Sequence, residues 1–204
     1  MYNDRYAYKL DFTDRYGRTP WLSQRESQER SRASVPNNIF PTPYEGDMIM
    51  TIRFATEQDI PQMIDLLRQV GEVHHQIRPD LFRSGAQKYD EAALKMLLAD
   101  EKRPIIAGVA DGKMVGYAFC ILQETKDDPV LCDRKTLYID DLCVDKDVRG
   151  GGVAQAIYQG VLDYAREIHC DAVTLNVWCG NDRAMRFYEK CGLKPQKIGM
   201  ELIL

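Results

Sequence analysis

From residue 48 onward the apolar positions follow two rhythms in turn, one of period two or unbroken, the other of period 3.6. "MIMTIRFA" is a strand candidate. "TEQDIPQMIDLLRQV" then places Ile60, Met63, Ile64, Leu67 and Val70 on one helical stripe. Thr56 is its N-cap and Asp59, three residues on, comes close to a capping box, while Gly71 is a stop signal. "EVHHQIRPDLFRSG" reads as a connection, and "KYDEAALKMLLAD" as a second helix capped by Asp90. "RPIIAGVADGKMVGYAFCIL" is two apolar runs around Asp111-Gly112, which predicts a hairpin because the tight turn needs positive φ. After the loop "ETKDDPVLCDRK", Thr136 to Val144 reads as a strand. In "GGGVAQAIYQGVLDYAREI", Val153, Ile157, Val161, Ala165 and Ile168 recur at helical spacing. "DAVTLNVWC" is a strand, "NDRAMRFYEKCG" a short helix closed by Gly192, and "KPQKIGMELIL" a last strand. The order predicts one α/β domain, a mixed sheet flanked by helices, over residues 48–204.

The first 47 residues do not share this order. "SQRESQERSRASVPNN" has no apolar period, and Pro36, Pro41 and Pro43 follow. Such a stretch buries too little to offset its ordering entropy, so residues 1–47 read as a disordered or loosely docked tail. A start at Met48 or Met50 is an alternative account of the same boundary.

Charge narrows the partners. With 27 basic against 31 acidic residues and a net charge of -4, there is no basic excess of the kind duplex nucleic acid selects. No apolar run approaches a membrane span, and the N-terminus has no signal-peptide core. Six cysteines, Cys120, Cys132, Cys143, Cys170, Cys179 and Cys191, are scattered without a CxxC pair. They read as reduced, mostly buried residues of a cytoplasmic protein. His74, His75 and His169 have no ligand spacing to a cysteine pair, so no metal is expected.

The candidate chemistry lies in "YIDDLCVDKDVRGGGVAQAI". Arg149, Gly152 and Ala154 form R-x-x-G-x-A where a strand gives way to a helix. A helix start offers unpaired N–H groups and a partial positive charge. Glycines let an anion approach that backbone, and the guanidinium suits phosphate. A merely flexible turn is the plain alternative. The stretch is not a P-loop, since no Gly-Lys-Ser/Thr follows. Nor is it a full dinucleotide fingerprint, because Gln155 stands at the third glycine position.

"LYIDDLCVDKDVRGGGVAQAI" followed by "VTLNVWCGNDRAMRFYEKCGLK" resembles the acetyl-CoA-binding motif and the next strand and helix of the GNAT N-acetyltransferases. Ala154 replaces the commoner second glycine, which the family pattern allows. The resemblance covers Met48 to Leu204 and implies a central, mostly antiparallel sheet flanked by helices. It implies acetyl-CoA as co-substrate, a small-molecule amine as acceptor, and leaves a homodimer open. It implies that the backbone of Leu142, Cys143 and Val144 pairs with the pantetheine arm like an added strand. The N–H groups of Arg149, Gly150, Gly151, Gly152, Val153 and Ala154 would hold the pyrophosphate, and Asn181 the pantetheine arm. Tyr188, seven residues after Asn181 and so about 10 Å along the same helix face, would lie near the thioester sulfur as general acid. A core aromatic beside Phe187 is its plain alternative.

Acetyl transfer needs a neutral amine, donors for an oxyanion, and a proton for the departing thiolate. The pair Asp140-Asp141 resembles the Glu-Asp of diamine acetyltransferases, with Asp140 at the position that approaches the acceptor amine. Neighbours on a strand face opposite ways, so only one enters a given cleft unless the strand is bulged there. The oxyanion would meet an N–H near Leu142 or Cys143. An acetyl-cysteine on Cys143 has no histidine partner in sequence, and a buried small hydrophobe is the better reading. Glu72, His75, Asp80 and Phe82 are candidates to line the acceptor pocket, against the alternative of an ordinary surface loop. The expected activity is direct transfer from acetyl-CoA to a primary amine of a small cationic acceptor. A protein N-terminus or lysine is the alternative acceptor, and a non-catalytic acyl-CoA-binding module the alternative of another class.

Overall fold

The structure, a computed structural model, describes Phe40–Pro41 and residues 50–204. The described residues belong to the compact unit Asn37–Leu204; the polar stretch read as a tail lies outside them except for Phe40–Pro41. The strands are β1 (Phe40–Pro41), β2 (Met50–Phe54), β3 (Ile105–Ala110), β4 (Lys113–Thr125), β5 (Arg134–Val144) and β6 (Ala172–Leu175). The helices are α1 (Ile60–Ile77), α2 (Glu91–Leu98), α3 (Val153–Glu167) and α4 (Asp182–Lys190). The six strands lie in sequence order in one mixed sheet: β1 to β5 pair antiparallel, and β5 pairs parallel with β6. The pairing of β1 with β2 is a feature that composition did not suggest.

Alternating apolar residues divide the core into two layers. On one face Met63, Leu66, Leu67 and Leu94 of α1 and α2 pack on Tyr117, Phe119 and Cys143 of the sheet. On the other, Ile157, Val161 and Ala165 of α3 pack on Ile52, Ile106, Ala118 and Leu137. Asp90 caps α2 as predicted, while Thr56 stands before a short 3-10 turn, Glu57–Asp59, and Asp59 is the N-cap of α1. The Asp90 carboxylate accepts from the Ala93 N–H at 2.8 Å, and the Asp59 carboxylate accepts from the Thr56 N–H at 2.8 Å. Asp59 also takes both arms of the Arg53 guanidinium, at 2.7 and 2.8 Å. The Asp111-Gly112 hairpin carries positive φ at both residues.

Three expectations fail. Gly71 does not stop α1, which runs on to Ile77, so "EVHHQI" is helix rather than connection. A Cβ at Gly71 would stand 3.1 Å from the Ala86 carbonyl oxygen; the glycine is there for the close passage of the following loop, not as a stop. Only Cys120 and Cys143 of the six cysteines are buried; Cys132 and Cys179 are exposed. The expected last strand does not form: residues 194–204 pair with no strand among the described residues.

Candidate active site

The register of β5 creates the site. Phe119 of β4 faces Asp141 and Cys120 faces Ile139, so Asp140 is the extra residue of a β-bulge. The bulge removes the strict alternation that would set the two acids on opposite faces. Both meet partners from the layer under α1 and α2. The Asp140 carboxylate accepts from the Lys88 ammonium at 2.7 Å, and the Tyr117 hydroxyl donates to the Asp141 carboxylate at 3.1 Å. Tyr117 is fully buried and packs edge-on against Phe119, which stacks with Tyr89.

Burial pushes the Asp141 carboxyl up to about 6, against the opposing pull of the Lys88 charge and the Tyr117 hydrogen bond. For Lys88, burial works against its charge, but its hydrogen bond to the Asp140 carboxylate prevails and raises it above the ordinary value. Burial, reinforced by the Asp141 charge, holds the Tyr188 phenol well above its ordinary value, so it is protonated at neutral pH. Tyr188 also packs against Phe187 and Tyr158, which is the aromatic-cluster reading. Cys143 is buried, its thiol donates to the Leu66 carbonyl at 3.5 Å, and burial pushes it up to about 12. A thiolate nucleophile at Cys143 is therefore disfavoured.

β6 ends at Leu175, opposite Ile139. Beyond that point the edge of β5 that faces β6 has no strand partner among the described residues, while its other edge stays paired with β4 through Val144. On that side Leu142, Cys143 and Val144 thus have no strand partner among the described residues. The chain leaves that edge through a 3-10 turn, Lys146–Val148, where the Lys146 N–H donates to Gln69 at 3.0 Å. Arg149 Nε donates back to the Val144 carbonyl at 3.0 Å, closing the loop. Gly150 and Gly152 then take positive φ, 91° and 78°, which only glycine adopts without strain. Gly152 is the N-cap of α3, and no side chain caps that helix, so its first-turn N–H groups remain available to an anion. Gly151, Val153 and Ala154 complete the turn, with Val153 buried as the anchor.

The cradle, the open edge and the acids form one continuous path about β5. Asn181 is the N-cap of α4, its side-chain oxygen accepting from the Ala184 N–H at 3.2 Å, which leaves the amide nitrogen as a donor. The acceptor-side candidates separate. His75 Nδ1 lies 2.6 Å from the Phe82 carbonyl oxygen, and Phe82 packs edge-on against Trp178 and at a tilt of 36° against His74. These bring the loop after α1 to the loop after β6. Glu72 accepts from Ser84 at 3.3 Å, and Asp80 is an exposed partner of Arg78 at 2.6 Å. Asp80 therefore serves the loop surface rather than a pocket wall. Sequence reasoning missed Lys88, Tyr117 and Trp178. No local motif marks them, because each meets the site from a distant segment.

A family model described as the acetyltransferase (GNAT) family matches residues 68–193. The chain belongs to that family. GNAT proteins are acetyl-CoA-dependent N-acetyltransferases, and the mixed sheet with its flanking helices is the GNAT fold. A crystal structure of a mutant Bacillus halodurans protein superposes with a TM-score of 0.72 at 37% identity, covering 75% of this chain and 98% of that one. An uncharacterised N-acetyltransferase of Mycobacterium bovis is 34% identical over 48% of this chain and 56% of its own length. One of Methanocaldococcus jannaschii is 23% identical over 72% of this chain and 62% of its own length. The chain thus spans less than two thirds of these curated relatives. Among the described residues, no helix is long and apolar enough to cross a membrane, and no cluster of His, Cys, Asp or Glu could hold a metal.

Proposed function

We propose that this protein transfers an acetyl group from acetyl-CoA to a primary amine of a small cationic acceptor, by direct attack in a ternary complex. The observation that carries the reading is the β5 edge, Leu142–Val144, with no strand partner among the described residues, an uncapped helix start following it and the buried Asp141 carboxyl preceding it. A pantetheine arm suits that edge because it carries amide groups that can pair like a strand. Its pyrophosphate suits the N–H groups from Arg149 to Ala154. Bound acetyl-CoA would supply an activated acyl carbon.

The chain's own residues divide the work. Asp141 is the general base, directly or through water: a carboxyl raised to about 6 is far better matched to neutral pH than an ordinary aspartate. Asp140 receives the acceptor's cationic group, displacing Lys88, whose ammonium already occupies that position at 2.7 Å. The resemblance puts Asp140 at the position that approaches the acceptor amine, and in this division Asp140 keeps that place while Asp141 takes the proton. An N–H of the Leu142–Cys143 edge meets the oxyanion, and Tyr188 gives its proton to the departing thiolate. Trp178 and Phe82 form an aromatic wall for the acceptor's apolar part.

Thiol release from acetyl-CoA with a panel of polyamines, amino acids, aminoglycosides and peptides tests the reading. Turnover with small cationic amines is expected, and Tyr188→Phe and Asp141→Asn should each lower it. Turnover with peptides alone would move the acceptor to a protein amine. Binding of acetyl-CoA with no turnover across the panel would favour a non-catalytic binding module.

A further inference from the structure

A lysine reaches the site acids from a distant part of the chain. Lys88 lies between α1 and α2, 52 residues before Asp140, and its ammonium donates to the Asp140 carboxylate at 2.7 Å. The same nitrogen stands 5.3 Å from the centre of the Tyr89 ring, and its charge acts on Asp141. The other lysines with ion-pair partners among the described residues, Lys95 and Lys126, pair with near neighbours in sequence, Glu91 and Glu124. The Lys135 ammonium donates to the Ile168 carbonyl oxygen. None of these three meets Asp140 or Asp141.

The backbone on both sides of Lys88 is fixed. The Gln87 amide nitrogen donates to the Tyr89 carbonyl at 2.7 Å, bridging Lys88. Tyr89 stacks with Phe119, the β4 residue that faces Asp141. Asp90 caps α2 through the Ala93 N–H. The Lys88 stem therefore runs from a held root to the bulge in β5. The ion pair is only partly covered, with side-chain exposures of 44% and 24%, so the amine can shift from one acid toward the other without a change of fold.

Resting on the acetyl transfer proposed above, we propose that Lys88 is itself an acetyl acceptor, modified in cis by the site it occupies. Asp140 is the place of an acceptor's cationic group, and the ammonium found there belongs to the chain. A tethered amine at that place needs no binding step and has a high effective concentration. Lys88 loses a proton to Asp141, directly or through water. Its nitrogen lone pair forms a C–N bond to the acetyl carbonyl carbon, the C–S bond breaks, and the thiolate takes the Tyr188 proton, which solvent replaces. The products are acetylated Lys88, the free thiol of CoA and a proton. The hydrogen bond to Asp140 keeps the amine protonated, so the step is slow, but it happens once per chain. Acetylated lysine carries no charge and leaves Asp140 open to the ammonium of an external amine.

The full chain incubated with acetyl-CoA and no amine tests this by intact mass and peptide mapping. A single acetyl per chain is expected, on the peptide that holds Lys88, with an equal amount of thiol released. Its first-order rate should be independent of protein concentration, and Tyr188→Phe and Asp141→Asn should each slow it by about tenfold or more. Lys88→Arg should take up no acetyl. Chain isolated after acetylation should show a lower KM for a polyamine, by up to about fivefold, the order of a partly exposed ion pair. Acetyl groups spread over surface lysines, a rate that rises with protein concentration, or a Lys88 that stays unmodified would each overturn the proposal. Turnover of free amines with Lys88 unmodified removes self-acetylation and leaves the proposed function standing. Lys88 modified with no free amine turned over supports self-acetylation and removes the small-amine acceptor.

Discussion

Replacing Asp141 by asparagine should make the protein more stable and nearly inactive. The carboxyl is raised from 3.8 to about 6 in the folded chain, with burial as the main cause. About two pKa units at 1.36 kcal/mol each is roughly 3 kcal/mol of cost for keeping Asp141 ionised in the fold. The sign follows from linkage. The folded state binds this proton more tightly than the unfolded chain. The contribution to stability is therefore full below the unfolded value and is lost as pH rises through about 6. Asparagine cannot ionise and escapes the loss, but its amide nitrogen lacks a partner, at a cost of about 1 kcal/mol. The variant should be more stable by about 2 kcal/mol at neutral pH, and slightly less stable near pH 4. Urea unfolding of both proteins across that range measures the difference. In parallel, kcat/KM should fall by about 10² to 10⁴, and the wild-type limb that rises with an apparent value near 6 should vanish. A stability difference that stays constant with pH, or an asparagine variant less stable at neutral pH, would refute the reasoning.

Tyr188→Phe should lower kcat by about 10² or more with little change in acetyl-CoA affinity, read by single-turnover thiol release and by calorimetry. Gly152→Ala puts a Cβ on a residue at φ 78° and should weaken acetyl-CoA binding, at a conformational cost of about 1–2 kcal/mol seen in thermal unfolding. Gly116→Ala would set a Cβ 2.8 Å from the Cys143 carbonyl oxygen and 2.7 Å from the Ile157 side chain, forcing β4 from β5; a loss of about 1–3 kcal/mol in urea unfolding is expected. Asp59→Ala strands the partly buried Arg53 guanidinium and should cost about 3–5 kcal/mol by the same measurement. Burial opposes the Asp59 charge, but the Arg53 hydrogen bond prevails and holds the carboxyl below the usual range. The Asp59 contribution is therefore present at neutral pH and lost as pH falls through its depressed value.

The local pattern of the chain was enough for most elements. The stripe from Ile60, the Asp90 cap, the Asp111-Gly112 hairpin and the glycine start of α3 each rest on residues close in sequence, so short-range physics decides them. The glycine turn was legible for the same reason: its left-handed glycines and the helix start that follows are consecutive. Gly71 misled because its role is to let the Ala86 backbone pass, a contact across the fold. The strand pattern at Lys197–Leu204 misled because a pattern states that a segment can pair, not that the fold brings it to an edge. Which acid is buried with a raised carboxyl was not legible at all. It depends on a bulge set by pairing with β4, a hydroxyl from Tyr117 and an ammonium from Lys88, which lie 24 and 52 residues away from the acids they touch. Sequence thus determined the residue types and the local turns of the site. Tertiary structure decided their protonation and their facing, because burial and strand register exist only once distant segments are packed together.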